Sequence, residues 1–278
     1  MNNMKVHVLD TGYLEQDRAM LVGPKLGTIH DKTPAAEWTQ TPVYAVLIEH
    51  PDGLVLFDTS CSAMGMTERW TESFKELCPY HVNEDQLLLK RLEQLNFKPS
   101  DVKYVVASHL HIDHSGGLEY FTEAEIIVHD TEFTEVMKKY ALNSTCKDQM
   151  GVYVWDDINA WIQTGLHWKL IKPTVESVKL LDGITILNFG SGHAHGMLGL
   201  LLELPKSGNI LLSSDAIYTS ENFGPPVKIP GIVYDTLGYV STIEKIREIA
   251  TETNAQIWYG HDKDQFATMV KSPEGYYE

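Results

Sequence analysis

An α/β fold of two packed sheets with helices on the outside is what this sequence predicts, on three observations. Hairpin patterns come first and strand–helix alternation follows. The same order recurs in the second half of the chain, and no linker or low-complexity run divides the 278 residues. The chain is therefore read as a single domain over residues 1–278.

Each element has a local warrant. Met4 to Leu9 alternates and reads as the first strand. Thr11 to Gln40 reads as a long irregular loop, punctuated by Gly12, Gly23, Pro24, Gly27 and Pro34. Its apolar members, Tyr13, Met20, Leu21 and Val22, either tuck under a sheet or line a pocket. Val43–Glu49 and Leu54–Asp58 are strands joined across Pro51-Asp52-Gly53, whose Asp-Gly pair marks a hairpin. Asn83 caps a helix expected to run to Leu95, with Leu87, Leu88, Leu92 and Leu95 as its apolar stripe. The β-branched run Val102–Val106 is a buried strand, Glu125–His129 is another, and a helix starts at Asp130 or Thr131 and reaches about Tyr140. Asn143 to Trp168 is irregular and dense in aromatics, and reads as an insertion (143–168) that either covers a site as a lid or plugs the sheet. Two further hairpins pair Ser177–Leu181 with Ile184–Phe189 and Met197–Leu204 with Asn209–Ser213. An amphipathic helix over Gly238–Glu252 and a last strand at Gln256–Tyr259 complete the set.

Chemistry concentrates where the Val102–Val106 strand stops, in His109-Leu110-His111-Ile112-Asp113-His114 followed by Ser115-Gly116-Gly117. A strand ending in a His-rich turn holds its side chains on a stiff stem and aims them off the sheet. One strand histidine is ordinarily a packing residue. Three imidazoles and a carboxylate crowded within six positions instead need a cation between them, and these are the donors that borderline divalent metals such as zinc prefer. Three later strand ends carry further candidates: Gly192-His193-Ala194-His195, Ser214-Asp215 and Gly260-His261-Asp262. Each alone also fits an ordinary turn, but their shared place just past a hydrophobic strand brings them to one edge of the sandwich. Asp58 reads equally as a turn residue or as a carboxylate that holds an imidazole by its distal nitrogen.

Composition narrows the partners. A net charge of −16 with no basic tract excludes a nucleic-acid surface. No apolar stretch approaches the ~20 residues that span a bilayer, and Met1–His7 lacks the charged-then-apolar pattern of a leader, so a cytoplasmic location without membrane contact is expected. Three cysteines with no CxxC spacing make neither a disulfide framework nor a thiolate site, and read as small buried hydrophobes.

Taken in order, His109-Leu110-His111-Ile112-Asp113-His114, Gly192-His193, Asp215 and Gly260-His261 resemble the motifs of the metallo-β-lactamase superfamily. The stretch Asp215-Ala216-Ile217-Tyr218-Thr219-Ser220-Glu221-Asn222-Phe223 narrows the similarity to the quorum-quenching N-acyl-homoserine lactone lactonases. The resemblance implies an αββα sandwich with two divalent cations, zinc first among them, at one sheet edge. His109, His111 and His193 bind the first, Asp113, His114 and His261 the second, and Asp215 bridges them. Tyr218 points its phenol at the substrate carbonyl, and Met20 belongs to the acyl pocket. The chain departs from the family at His195, where Pro is usual, and at Ser60, where Gly commonly follows Asp58-Thr59.

Five neutral imidazoles and two carboxylates around two cations leave surplus positive charge. That charge lowers the pKa of a bridging water to about 7, and the hydroxide attacks the lactone. Asp113 passes a proton to the departing ring oxygen. The expected partner is thus a small acyl-homoserine lactone, with a homodimer left open. The alternatives are another hydrolase of the same fold, such as a thioesterase of the glyoxalase II type or another lactonase, and, less favoured, a di-iron redox protein. The redox reading would normally want a carboxylate in place of one His and a flavin-binding domain.

Overall fold

The computed structural model describes residues 4–278; Met1, Asn2 and Asn3, where the leader reading begins, lie outside the described residues. Twelve strands are found among them. The first seven are β1 (Lys5–Asp17), β2 (Trp38–Glu49), β3 (Leu54–Phe57), β4 (Tyr80–His81), β5 (Val102–Val106), β6 (Glu125–His129) and β7 (His167–Ile171). They form one sheet in the order β4-β1-β2-β3-β5-β6-β7, antiparallel through β3 and parallel from β3 to β7. The other five are β8 (Ser177–Leu181), β9 (Ile184–Gly190), β10 (Met197–Leu204), β11 (Gly208–Ser214) and β12 (Gln256–Tyr259). They form a second sheet, β12-β11-β10-β9-β8, antiparallel except for β12 along β11.

Residue alternation decides which face meets which layer. Along β2, Val46 and Ile48 pack with Ile186, Leu198 and Leu200 of the second sheet, whereas Ala45 and Leu47 pack with Leu92, Val136 and Trp161 of the flanking helices. The helix Thr236–Thr253 covers the outer face of the second sheet through Tyr239, Ile243 and Ile246, which join Leu187 and Leu211. The result is the helix–sheet–sheet–helix sandwich. Among the described residues no helix is long and apolar enough to cross a membrane.

Several elements differ from expectation: β4 and β7 form where the sequence predicts no strand, and β2 begins at Trp38 rather than Val43. β1 continues past Leu9 to Asp17, because a register shift between Asp10 and Tyr13 carries the chain through Gly12 at φ +97° and pairing resumes on β2. The irregular stretch therefore shrinks to a helical turn at Ala19–Val22 and a loop before Trp38. The helix expected over 83–95 is broken: Asn83 and Gln86 close a capping box around a single 3-10 turn, Leu87 turns to ψ 136°, and the α-helix spans Leu88–Gln94. The break lets Leu88 and Leu92 sink into the core. Cys61 and Cys78 are buried as expected, but Cys146 is exposed.

Candidate metal centre

Five strands end at one edge of the sandwich. β3 delivers Asp58, β5 the segment 107–111, β9 the turn to His193, β11 Asp215 and β12 His261. His111 opens the short helix Ile112–Ser115, which returns Asp113 and His114 toward the same point. All seven predicted ligands are buried.

The donors fall into two groups that share one carboxylate. His193 Nε2 lies 3.2 Å from His109 Nε2 and 2.8 Å from His111 Nδ1. His261 Nε2 lies 3.2 Å from Asp113 Oδ2, and His114 Nε2 lies 3.5 Å from the same oxygen. Asp215 stands between, with Oδ2 at 3.3 Å from His193 Nε2 and Oδ1 at 3.1 and 3.3 Å from the Nε2 atoms of His261 and His114. The other face of four rings is tied to oxygen. Nδ1 of His109 meets Ser108 Oγ, that of His114 meets Asp58 Oδ2 at 2.8 Å, and those of His193 and His261 meet the carbonyls of Ile232 and Pro42. These contacts set each tautomer so that the inner nitrogen offers a lone pair.

Such a donor set fits paired cations. Three imidazole nitrogens converge within 2.8–3.2 Å, where hydrogens cannot satisfy every lone pair. Asp215 Oδ1 and His114 Nε2 are buried without a hydrogen-bond partner. A divalent ion with N/O preference answers both observations. The halves differ in charge. Burial pushes His109 and His111 well below the ordinary 6.5, reinforced by neighbouring imidazoles, so they stay neutral. Burial also opposes charge on His261, but the carboxylates of Asp215 and Asp113 outweigh it and carry that ring up to about 10. The carboxylate-rich half therefore draws positive charge of either kind, proton or metal.

Tyr218 lies beside both groups, with its ring 4.9 Å from that of His193 and 5.4 Å from that of His261. It lines a small cavity together with His111, Asp113, Asp215 and His261. Phe74, Val152 and Ile232 wall this cavity and also a neighbouring one of about 290 Å³. Met20 lines the larger cavity, together with Tyr153, Val154 and Trp155 from the 143–168 segment. That segment is an anchored layer: Trp161 is buried in the helix-side core, and Ile112 N donates to Val152 O at 3.1 Å. The cations bordering the cavity are already paired, Arg69 with Glu119 and Asp157 and Lys147 with Asp156.

His195 does not join the seven; its ring packs 4.0 Å from that of Tyr234. Asp58 is nearer the site than its spacing revealed. Its Oδ1 accepts from Ser108 N at 2.7 Å and its Oδ2 from Ser108 Oγ at 2.9 Å, besides holding His114. Asp58, Ser60 and Ser214 all have φ between +47° and +63°, so tight left-handed turns bring these strand ends together. Ser60 at φ +63° accounts for the glycine common at this position in the resembling family. Ser108 and Ser214, whose hydroxyls meet at 2.9 Å, were not legible as site residues, because isolated serines carry no pattern.

The family model described as the metallo-beta-lactamase superfamily matches residues 38–261. The N-acyl homoserine lactonase AiiB of Agrobacterium fabrum is 38% identical over 277 residues, 99% of each chain. A crystal structure of B. thuringiensis AiiA with N-decanoyl-L-homoserine at its active site superposes with a TM-score of 0.79 at 26% identity, covering 98% of both chains. An N-acyl homoserine lactone hydrolase with N-hexanoyl-L-homoserine bound at its catalytic metal center has the same TM-score, identity and coverage.

Proposed function

The chain belongs to the metallo-β-lactamase superfamily, and from that premise we propose that it is a hydrolase that opens the lactone ring of N-acyl-homoserine lactones. One observation carries the reading: the Asp215 carboxylate presents one oxygen to each of two imidazole groups, beside a tyrosine and an apolar cavity. His109, His111 and His193 would hold one divalent cation, Asp113, His114 and His261 another, and Asp215 both. Zinc suits this borderline N/O donor set. Two such ions supply Lewis acidity, which raises the acidity of water and the electrophilicity of a carbonyl.

The chain's own residues do the rest. Tyr218 donates its phenolic proton in a hydrogen bond to the oxygen on which charge develops. Burial raises its pKa above the ordinary value and the carboxylates of Asp215 and Asp113 add to the shift, which favours the protonated, donating phenol. Asp113 takes up the proton that the attacking water loses and passes it to the ring oxygen as the C–O bond breaks. Water is thus added across the ester and an acyl-homoserine leaves. The acyl chain lies in the 290 Å³ cavity beside Met20, and the 143–168 segment acts as its lid. Because Arg69 and Lys147 are each neutralised, the cavity favours an alkyl chain over a charged glutathione-like group.

The direct test is acid release from hexanoyl- and decanoyl-homoserine lactone by the zinc-loaded protein, with and without chelator. Hydrolysis that chelator stops and zinc restores is expected; absence of hydrolysis from a fully loaded protein sinks the proposal. Tyr218→Phe should keep both ions and lower kcat by roughly 10–100-fold, the scale of one lost oxyanion donor or somewhat less. Phe74→Ala removes an aromatic wall worth about 2 kcal/mol of apolar contact. It should raise KM for the decanoyl substrate about 10-fold or more and spare the butanoyl one, a contrast read from paired Michaelis curves.

A further inference from the structure

Glu132 is a buried acid that the chemistry above does not use. It sits in the first turn of the helix Asp130–Leu142, where an acidic residue ordinarily faces solvent near the helix dipole, yet it is 0% exposed. Among the described residues no lysine or arginine pairs with it. Its compensation comes from hydrogen-bond donors on three separate segments. Oε1 accepts from Leu110 N at 3.0 Å and Oε2 from Gly196 N at 3.3 Å. The Tyr153 hydroxyl and the His195 amide lie beside the same carboxylate and pull its pKa down against burial.

The identity of those donors matters more than their number. Leu110 separates His109 from His111, and His195 and Gly196 follow His193 directly after one residue. Tyr153 rests edge-on against His111, with ring centroids 4.8 Å apart. The helix end that carries Glu132 is itself anchored, because His129 Nδ1 accepts from Thr131 N at 3.2 Å. A Cβ at residue 196 would collide with the His129 ring, so Gly196 alone lets that backbone come close enough. A backbone bond from Leu198 N to Ser108 O joins the same two loops on the other side of His109 in sequence.

We propose that Glu132 is the positioning residue of the His109–His111–His193 group: its carboxylate clamps the two loops that carry these imidazoles at one separation and, through Tyr153, sets the His111 ring. The inference rests on the ligand assignment proposed above. Burying a carboxylate without a cation costs stability, which is why its pKa is pushed up to about 7 by burial against the pull of its donors. That cost is met here by amides that belong to the ligand loops. Asp113, His114 and His261 make no contact with Glu132, so the two metal positions should respond differently to its loss.

The test is stepwise zinc affinity of the full chain at pH 8, measured by competition with a chromophoric chelator. Wild type should take up two ions. Glu132→Gln, which keeps the volume but sets an NH2 group against N–H donors, should weaken one step by about 10–100-fold and leave the other within about two-fold. The weakened step should be the one that His193→Ala abolishes. Tyr153→Phe, which removes the hydroxyl beside the carboxylate, should weaken the same step by less. Val136→Ala in the same helix creates a core cavity and serves as the purely structural control: its Tm should fall with both affinities intact. The proposal is overturned if Glu132→Gln keeps both wild-type affinities, or if both steps fall together in proportion to lost stability. Uptake of fewer than two ions by the wild-type chain would instead overturn the ligand assignment, and the role of Glu132 with it.

Discussion

Asp215→Ala is expected to reduce bound zinc from two ions to one or none and to lower lactone turnover by roughly 10³-fold or more, the scale of losing a central electrostatic group. The magnitude follows from position. Asp215 is the one side chain with an oxygen toward each imidazole group, at 3.3 Å on one side and 3.1 Å on the other. Although burial opposes its ionisation, His261 and His114 hold its pKa well below the usual carboxylate range, so it contributes a full negative charge. Removing that charge leaves five imidazoles with Asp113 alone to balance two dications. Asp215→Asn keeps the shape and loses the charge, and should fall between wild type and Ala. Metal content after dialysis, set against initial rates, checks the prediction. An Ala variant with both ions and a wild-type rate would remove the basis of the proposed function.

Asp58→Ala should destabilise the protein by about 3–5 kcal/mol, because it removes the carboxylate that three buried donors share and leaves only the Ser214 hydroxyl near two of them. Ser108 N, Ser108 Oγ and His114 Nδ1 all point at this carboxylate, at 2.7, 2.9 and 2.8 Å. Asp58 is buried together with Ser108 and His114, so bulk solvent does not take its place. Asp58 also holds φ +60°, a conformation that Asn tolerates better than Ala. Asp58→Asn therefore keeps the backbone and isolates the loss of charge and of acceptors, and should cost less than Ala. Urea unfolding midpoints of the three proteins give the comparison. An Ala variant within 1 kcal/mol of wild type, on the order of one ordinary hydrogen bond, would show that the Asp58 contacts are not needed to hold His114.

Much of this centre could be read before folding. Patterns that repeat along the chain carry their own signal: the alternation of Met4 to Leu9, the Asp-Gly turns, and three imidazoles with a carboxylate packed behind a β-branched strand. Those are local features, and the physics that produces them acts between near neighbours. The ordered spacing of His193, Asp215 and His261, each just past an apolar strand, extended the reading to the far half of the chain.

Groups that work through distant partners were not legible in this way. Glu132 in a helix's first turn resembles any solvated acid until the amides of Leu110 and Gly196, 22 and 64 positions away, are seen to close on it. Asp58 could be a turn residue or a tether until His114, 56 positions on, is found at its oxygen. The break at Leu87 and the extension of β1 to Asp17 likewise depend on where neighbouring layers leave room. Sequence by itself determined the layer order and the cluster of metal donors, because periodicity and donor chemistry are written in adjacent residues. Only the tertiary structure decided which oxygen orients each imidazole and which buried acid joins the loops, because a hydrogen bond is set by separation in space, and separation along the chain does not encode it.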